Sequence, residues 1–340
     1  MWFSKNHFNP ENKCAVVIGA SQGLGTDIAL RLYQRNCSVV LVARTESRLQ
    51  QQVERIRNES DSDQSDSDKA DSDKAATLNP LLEYYVCDVT DYNSCVAMWT
   101  HLMDTLHIDP DYIFCCAGGA VPKLFGHLSG TELAAGMNLN YLTAANVCHS
   151  GFKAVVQRTQ SATFKPRHIV LFSSVVGLFP FIGYGQYGPG KAALSALSLI
   201  LRQELMCYNY RVSCVHAGNF ASEGYAEENK TKPEITLLIE GCSEAISTME
   251  CCDLVFDRLA KGYDTIYTDF IGWVLGLSVL GIHPRYWGFF QMLMSLVFLL
   301  VEPIAYYFAI KRPIRQHHGE RLKHEQEVWR QGQEIDRKSR

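Results

Sequence analysis

The stretch CAVVIGASQGLGTDIALRLYQRN, residues 14–36, constrains this chain more than any other. CAVVI is a short apolar run of strand length, whereas TDIALRLYQRN repeats its apolar residues at helical spacing. Between them stand Gly19, Gly23 and Gly25. Glycines there permit a tight turn and let backbone N–H groups approach a pyrophosphate at a helix N-terminus, where the dipole favours negative charge. A second β-rich run, SVVLVAR (38–44), completes a β-α-β unit and makes a dinucleotide site the expected reading of the loop.

Further strand-like runs follow at YYVCDV, YIFCCAG, RHIVLFSS and RVSCVHAG, separated by amphipathic segments of helix length. This alternation predicts an α/β fold, a Rossmann-type doubly wound parallel sheet, over about residues 10–270. The net charge of −4 supplies no basic field for nucleic acid. The twelve cysteines stand singly or as adjacent pairs without zinc-type spacing, and read as reduced thiols. No metal site is expected.

Two regions depart from the pattern. Residues 59–74, ESDSDQSDSDKADSDK, hold seven acids and no apolar side chain larger than Ala. Such a composition cannot bury enough surface to order itself, so 59–77 is expected to be a disordered acidic insertion; its Ser-Asp repeats would suit an acid-directed kinase, but a tolerated surface loop is the favoured reading. Residues 271–310 carry full charges only at Arg285 and Glu302. As a helix, Trp287 to Ile310 would reach about 36 Å, against a hydrocarbon core of about 30 Å. An apolar membrane-associated extension is therefore expected. The tail 311–340 has nine Lys/Arg against five acids and is expected to be cytosolic. The polar opening MWFSKNHFNPENK lacks a secretory signal, which is expected to put the α/β domain on the same side. A re-entrant or in-plane segment, bent near His283-Pro284 and Glu302-Pro303, satisfies both placements.

At the end of the second strand, sites for the unphosphorylated nicotinamide cofactor need a carboxylate on the ribose hydroxyls. This chain has Ala43 and Arg44 instead. A guanidinium suits a 2′-phosphate, so NADPH is expected, with Arg44 as determinant and Ser21 and Arg48 assisting.

QYGPGKAAL (186–194) places Lys191 four residues after Tyr187, on one face of any helix there. A second Tyr-x-x-x-Lys occurs at Tyr307 and Lys311, but thirteen residues before Tyr187 stands Ser174, and thirteen before Tyr307 stands Met294. Only the first pair has a hydroxyl partner. If Tyr187 starts the helix, Pro189 falls in the first turn, where it is harmless. Gly188 and Gly190 would each cost about 1 kcal/mol relative to Ala, which predicts a close approach to the backbone by cofactor or substrate.

In order and spacing, the glycine loop, Asp88, Ala117-Gly118, Asn140, Ser174, Tyr187 and Lys191 resemble the short-chain dehydrogenase/reductases over about 250 residues. CCAGGAVPKLFGHLSG, FIGYGQYGPGKAAL, GNFASEGY, TKPEITLLIEG and TDFIGW look like a fungal branch of that family, the 3-ketodihydrosphingosine reductases of sphingolipid synthesis. The resemblance implies reduction of a ketone by NADPH. It makes Tyr187 the general acid, with Lys191 lowering its pKa and binding the nicotinamide ribose. Ser174 holds the carbonyl oxygen, Asn140 anchors a water in a proton relay, and Asp88, Ala117 and Gly118 join the cofactor site. It further implies a long-chain keto-amine lipid substrate, a homodimer built on the slim face of Ala192, Ala193, Ser195 and Ala196, and the cytosolic face of the endoplasmic reticulum membrane. The closing RKSR resembles a dibasic retrieval tail.

Glu223, Glu227 and Glu228, in the loop after Gly218, are candidates to face the substrate ammonium, against the alternative that each belongs to a solvated acidic helix start, which is favoured for any one of them. The chain departs from the family pattern at Ile18, in place of Thr, and at Cys115-Cys116, in place of an Asn pair, losing side-chain hydrogen bonds that brace the cofactor turn, and at Ala217, in place of Pro, which loosens the loop beside the nicotinamide. Two rival readings are a reductase of another lipid ketone, a 3-oxoacyl thioester or a sterol, and a non-catalytic NADPH-binding membrane adaptor.

Overall fold

Residues 8–67, 80–160, 163–240, 245–270 and 272–273, with 296, 300, 304, 307 and 308, are described by the structure, a computed structural model. The first half runs β1 (Cys14–Ile18), α1 (Leu24–Gln34), β2 (Ser38–Ala43), α2 (Glu46–Ser67), β3 (Leu82–Val86) and α3 (Tyr92–Thr100). The second runs β4 (Tyr112–Cys115), α4 (Gly130–Met137), α5 (Thr143–Arg158), β5 (Arg167–Ser174), α6 (Gly188–Glu204) and β6 (Tyr210–Ala217). After it come β7 (Phe220–Ala221), α7 (Glu223–Thr231), α8 (Glu234–Glu240), β8 (Ile246–Ser247), α9 (Thr248–Ala260) and β9 (Thr265–Tyr267).

The main sheet has the order β3-β2-β1-β4-β5-β6-β9, and every neighbouring pair is parallel. Successive side chains of a strand face opposite ways, and the two faces separate accordingly. Ala15, Val17, Val39, Leu41, Phe114 and Phe172 pack with Ile28 and Leu32 of α1 and with Val255, Phe256 and Leu259 of α9. Val16, Ile18, Val40, Val42, Ile113 and Leu171 pack with Met98 and Trp99 of α3, Val147 of α5 and Leu194 of α6. Apolar residues on both faces make the near-continuous strands expected of a sheet covered by helices on each side. The strand order reverses between β1 and β4, so a crevice opens beyond their carboxyl ends.

The helix α2 corrects the expected start of the acidic insertion. It continues through Ser67, so residues 59–67 are helical rather than disordered. Its first turns are anchored by buried Leu49, Val53 and Ile56, and Arg55 pairs with Glu59 at 2.8 Å. Once nucleated, a helix gains one hydrogen bond for each residue it adds, which carries it into polar sequence. The rest of the insertion and the 311–340 tail lie outside the described residues. So does most of 271–310. Among the described residues, no helix is long and apolar enough to cross a membrane.

Candidate active site

Gly19 leaves β1 at φ 82°, and its N–H donates to the Val42 carbonyl at 2.8 Å. A methyl group there would sit 2.7 Å from the Ala117 nitrogen, and one on Gly25 would sit 2.3 Å from the Gly19 carbonyl oxygen. Only glycine lets the turn, the end of β4 and the start of α1 meet this closely. Main-chain bonds hold the turn where Ile18 and Cys115 offer no polar side chain: Cys116 N–H donates to Ile18 O at 2.9 Å.

Beyond this turn lies a cavity of about 650 Å³. Gly19, Ser21, Gly23, Gly25, Arg44, Arg48, Asp88, Ala117, Gly118, Ser174, Tyr187 and Lys191 all line it. Arg44, exposed at the end of β2, has no ion pair among the described residues. The nearby acid, Glu46, accepts a hydrogen bond from Tyr84. Arg48 is engaged differently: it bonds Gln22 and stands 3.5 Å from Glu223, joining α2 to the glycine loop and to the start of α7. Asp88 accepts from the Thr90 N–H and hydroxyl at 3.0 and 2.8 Å.

Tyr187 is the N-cap residue of α6, and Pro189 is within its first two positions, as the sequence predicts. The reason for Gly190 differs from the expectation. A methyl group there would meet Cβ of Asn140 at 2.8 Å, so the protein itself, not a ligand, makes the close approach. Asn140 lies in a single π-helical turn, Asn138–Leu142, between α4 and α5, and is fully buried. Its Oδ1 accepts from Gly119 N–H at 3.0 Å, and its Nδ2 donates to the carbonyls of Gly119 at 2.9 Å and Gly136 at 3.2 Å. It therefore stands behind the cavity wall, bracing the segment after β4.

Lys191 is buried, and Nζ donates to the Phe172 carbonyl at 2.8 Å. Nζ stands 5.5 Å from the centroid of the Tyr187 ring. Burial lowers the Lys191 pKa from 10.5 to about 8. For the Tyr187 phenol, burial dominates and raises the pKa above the ordinary 10, while the adjacent Ser174 hydroxyl pulls it down. Glu228 adds to the rise. In the protein alone, the expected lowering by Lys191 is not seen: burial raises the phenol, and the ammonium is itself desolvated and bonded to Phe172. Ser174 Oγ accepts from Val176 N–H at 3.2 Å and donates to Ala217 O at 3.3 Å.

Several participants were not anticipated from sequence. Tyr184 also lines the cavity, with its ring centroid 5.9 Å from that of Tyr187. Its i,i+3 spacing from Tyr187 is the signal that marks it. Lys232, with a buried side chain at the end of α7, stands four residues after Glu228, and that i,i+4 spacing is the signal that marks it.

The Ser174 and Tyr187 hydroxyls, a buried lysine and a glycine turn converge at the switch point of a parallel sheet. Residues 13–233 match the profile described as short chain dehydrogenase. The chain belongs to the short-chain dehydrogenase family. It is 50% identical over 310 residues to the 3-ketodihydrosphingosine reductase TSC10 of Debaryomyces hansenii, covering 90% of each chain. It is 42% identical over 284 residues to the reductase of the same name from Saccharomyces cerevisiae, covering 82% of this chain and 86% of that one. Among solved structures, a short chain dehydrogenase/reductase from Burkholderia phymatum in complex with NAD superposes with a TM-score of 0.63. That match is 18% identical and covers 79% of this chain and 94% of that one. A short chain dehydrogenase from Burkholderia cenocepacia in complex with NADP gives 0.60 at 17% identity, over 81% and 95% of the two chains. These structural likenesses establish the fold.

Proposed function

We propose that this chain reduces the 3-keto group of 3-ketodihydrosphingosine to the alcohol, with NADPH, in sphingolipid synthesis. The observation that carries the reading is the meeting of Ser174, Tyr187 and Lys191 with the glycine cradle on one cavity, in a chain half identical to a reductase of that name.

The residues fit the cofactor. The turn of Gly19, Gly23 and Gly25 lines the cleft, Arg44 has no ion pair among the described residues, and Lys191 spends one of three donors on Phe172. Ser21, Arg48, Asp88, Ala117 and Gly118 complete the cleft. When bound, NADPH supplies the hydride. Ser174 turns its hydroxyl from the long 3.3 Å bond with Ala217 to the ketone oxygen. Tyr187 Oη then gives its proton to that oxygen as charge develops there, and the Lys191 ammonium stabilises the tyrosinate left behind. Asn140 Oδ1 keeps one lone pair for a water. A methyl on Gly118 would meet Lys191 Nζ at 2.8 Å and Asn140 Oδ1 at 3.0 Å, so these two polar atoms converge beside Gly118, which supports a proton relay from Asn140 through Lys191 towards Tyr187.

A lipid substrate is supported by the exposed apolar side chains Phe125, Ile182 and Leu237. Lys123 N–H bonds Gly183 O at 2.9 Å, and Thr236 Oγ1 bonds Ile182 O at 3.1 Å, so these segments adjoin. The same reading extends to one catalytic domain over 10–270, a membrane-associated segment over 271–310 and a charged tail over 311–340. The domain faces the cytosol at the endoplasmic reticulum membrane, as a homodimer whose contact includes the exposed Leu199 and Ile200 of α6. Purified full-length protein in detergent should oxidise NADPH with 3-ketodihydrosphingosine, followed by the absorbance of reduced nicotinamide. Absence of turnover would reject the assignment.

A further inference from the structure

Three carboxylates of α7 stand in the sequence segment expected to meet the ammonium of a keto-amine. Their surroundings separate them. Glu223 lies 3.5 Å from Arg48, at the glycine-loop side of the cleft. Glu227 is 71% exposed at its side chain and pairs with Lys230, so water screens its charge. Glu228 is only 15% exposed at its side chain, yet it lines the cavity that holds Tyr187 and Ser174.

The charge around Glu228 does not balance. Lys232, with a fully buried side chain, stands 3.2 Å from Glu228 Oε1 and 2.6 Å from Glu240 Oε2. Two desolvated carboxylates therefore share one ammonium and keep a net charge of −1. The other polar contacts are neutral: Tyr184 Oη donates to Glu228 Oε1 at 2.5 Å, and Asn219 Nδ2 donates to Glu240 Oε1 at 2.9 Å. Glu228 Oε2 has no partner among the described residues. A net charge held in a partly dry wall is costly unless a counter-charge arrives. Tyr184 bridges the two chemistries, since its hydroxyl touches Glu228 and its ring stands 5.9 Å from that of Tyr187.

We infer that Glu228, fixed by Tyr184 and Lys232, binds the protonated amine next to the substrate ketone and makes this site select amino ketones over plain ones. The inference rests on the reductase reading given above. In such a substrate the amine-bearing carbon adjoins the carbonyl carbon, so a cation on Glu228 Oε2 sets the carbonyl oxygen near Tyr187 and Ser174. Lys232 is needed to hold the carboxylate in place, and its sharing with Glu240 leaves Glu228 with charge to offer. Glu228 and Tyr184 are on this account specificity-determining and positioning residues, respectively.

The test compares 3-ketodihydrosphingosine with its deaminated counterpart, the same hydroxyketone carrying hydrogen in place of the amine, using the full chain and NADPH. Wild type should prefer the amine. Glu228→Gln should lose roughly 10- to 100-fold in kcat/KM on the amino ketone, carried by KM, with no loss on the deaminated one. Glu228→Asp, which keeps the charge, should retain most of the preference. NADPH binding, read by nicotinamide fluorescence, should be unchanged in both variants and reports that the site is folded. Equal losses on the two ketones, or no loss on the amino ketone, would overturn the inference while leaving the reductase intact. If wild type reduces neither ketone, the reductase reading itself fails, and this inference with it.

Discussion

Gly190 and Asn140 face each other so closely that a β-carbon on the glycine would lie 2.8 Å from that of the asparagine. The helix bearing Tyr187 and Lys191 is thereby seated directly on the π-helical turn that braces the end of β4. Catalytic helix and cofactor wall are positioned as one unit.

Gly190→Ala sets two effects against each other. Alanine gains about 1 kcal/mol of helix propensity, but overlap with a fully buried neighbour in a packed wall costs about 1–3 kcal/mol and moves Asn140 or α6. The overlap should win. The variant is expected to melt lower, and to lose turnover out of proportion to that loss, because Tyr187 moves with its helix. Thermal melts and kcat on the same preparation check it.

The pH dependence follows from Lys191, whose pKa burial lowers from 10.5 to about 8. Its ammonium predominates below that value and is lost above it, so kcat/KM should fall as pH rises through about 8. Stability runs the other way for this group. Between about 8 and 10.5 the unfolded chain holds the proton that the folded chain has released, so the fold gains stability as pH rises. The expected signature is a rate that falls through about pH 8, before the buried thiols of Cys14 and Cys251, which burial pushes up from 9.0 to about 12, begin to cost the fold stability above about pH 9. A rate that stays flat to pH 10 would contradict it.

Much of this was legible in the sequence because it rests on local periodicity. Val16 and Val17 reach opposite cores by simple alternation, and Gly19 and Gly25 announce the turn that their contacts require. The link from Ser174 to Tyr187 was legible as a spacing at the end of one strand and the start of one helix. What was not legible depends on meetings between distant segments. Gly190 answers to Asn140, fifty residues earlier, through a π-helical turn with no sequence signature. The raised Tyr187 phenol reflects burial by several elements, which no spacing encodes. The continuation of α2 to Ser67 depends on anchoring by Leu49, Val53 and Ile56 at its start, against the disorder that the composition of 59–77 favours.

Arg44 should set coenzyme preference. A charge-assisted contact to a 2′-phosphate is worth roughly 10- to 100-fold in affinity, and an aspartate in its place repels the phosphate while accepting ribose hydroxyls. Arg44→Asp is expected to weaken NADPH binding by at least that factor and to leave NADH equal or tighter. Fluorescence titration of the two dinucleotides, without lipid, measures this independently of turnover.

Ser174 and Tyr187 act on one oxygen, so their removals should not add. On the proposed mechanism the hydroxyl of Ser174 holds the ketone, and it moderates the phenol that burial has raised, so each function depends on the other residue. Tyr187→Phe removes the acid and should cost about 10²–10⁴ in kcat. Ser174→Ala should cost somewhat less, through both a misplaced ketone and a weaker acid. The double variant should lie close to Tyr187→Phe alone, since Ser174 has little left to organise once the phenol is gone. Losses that multiply across the pair would mean that the two hydroxyls work on separate steps, and would detach Ser174 from the proton transfer.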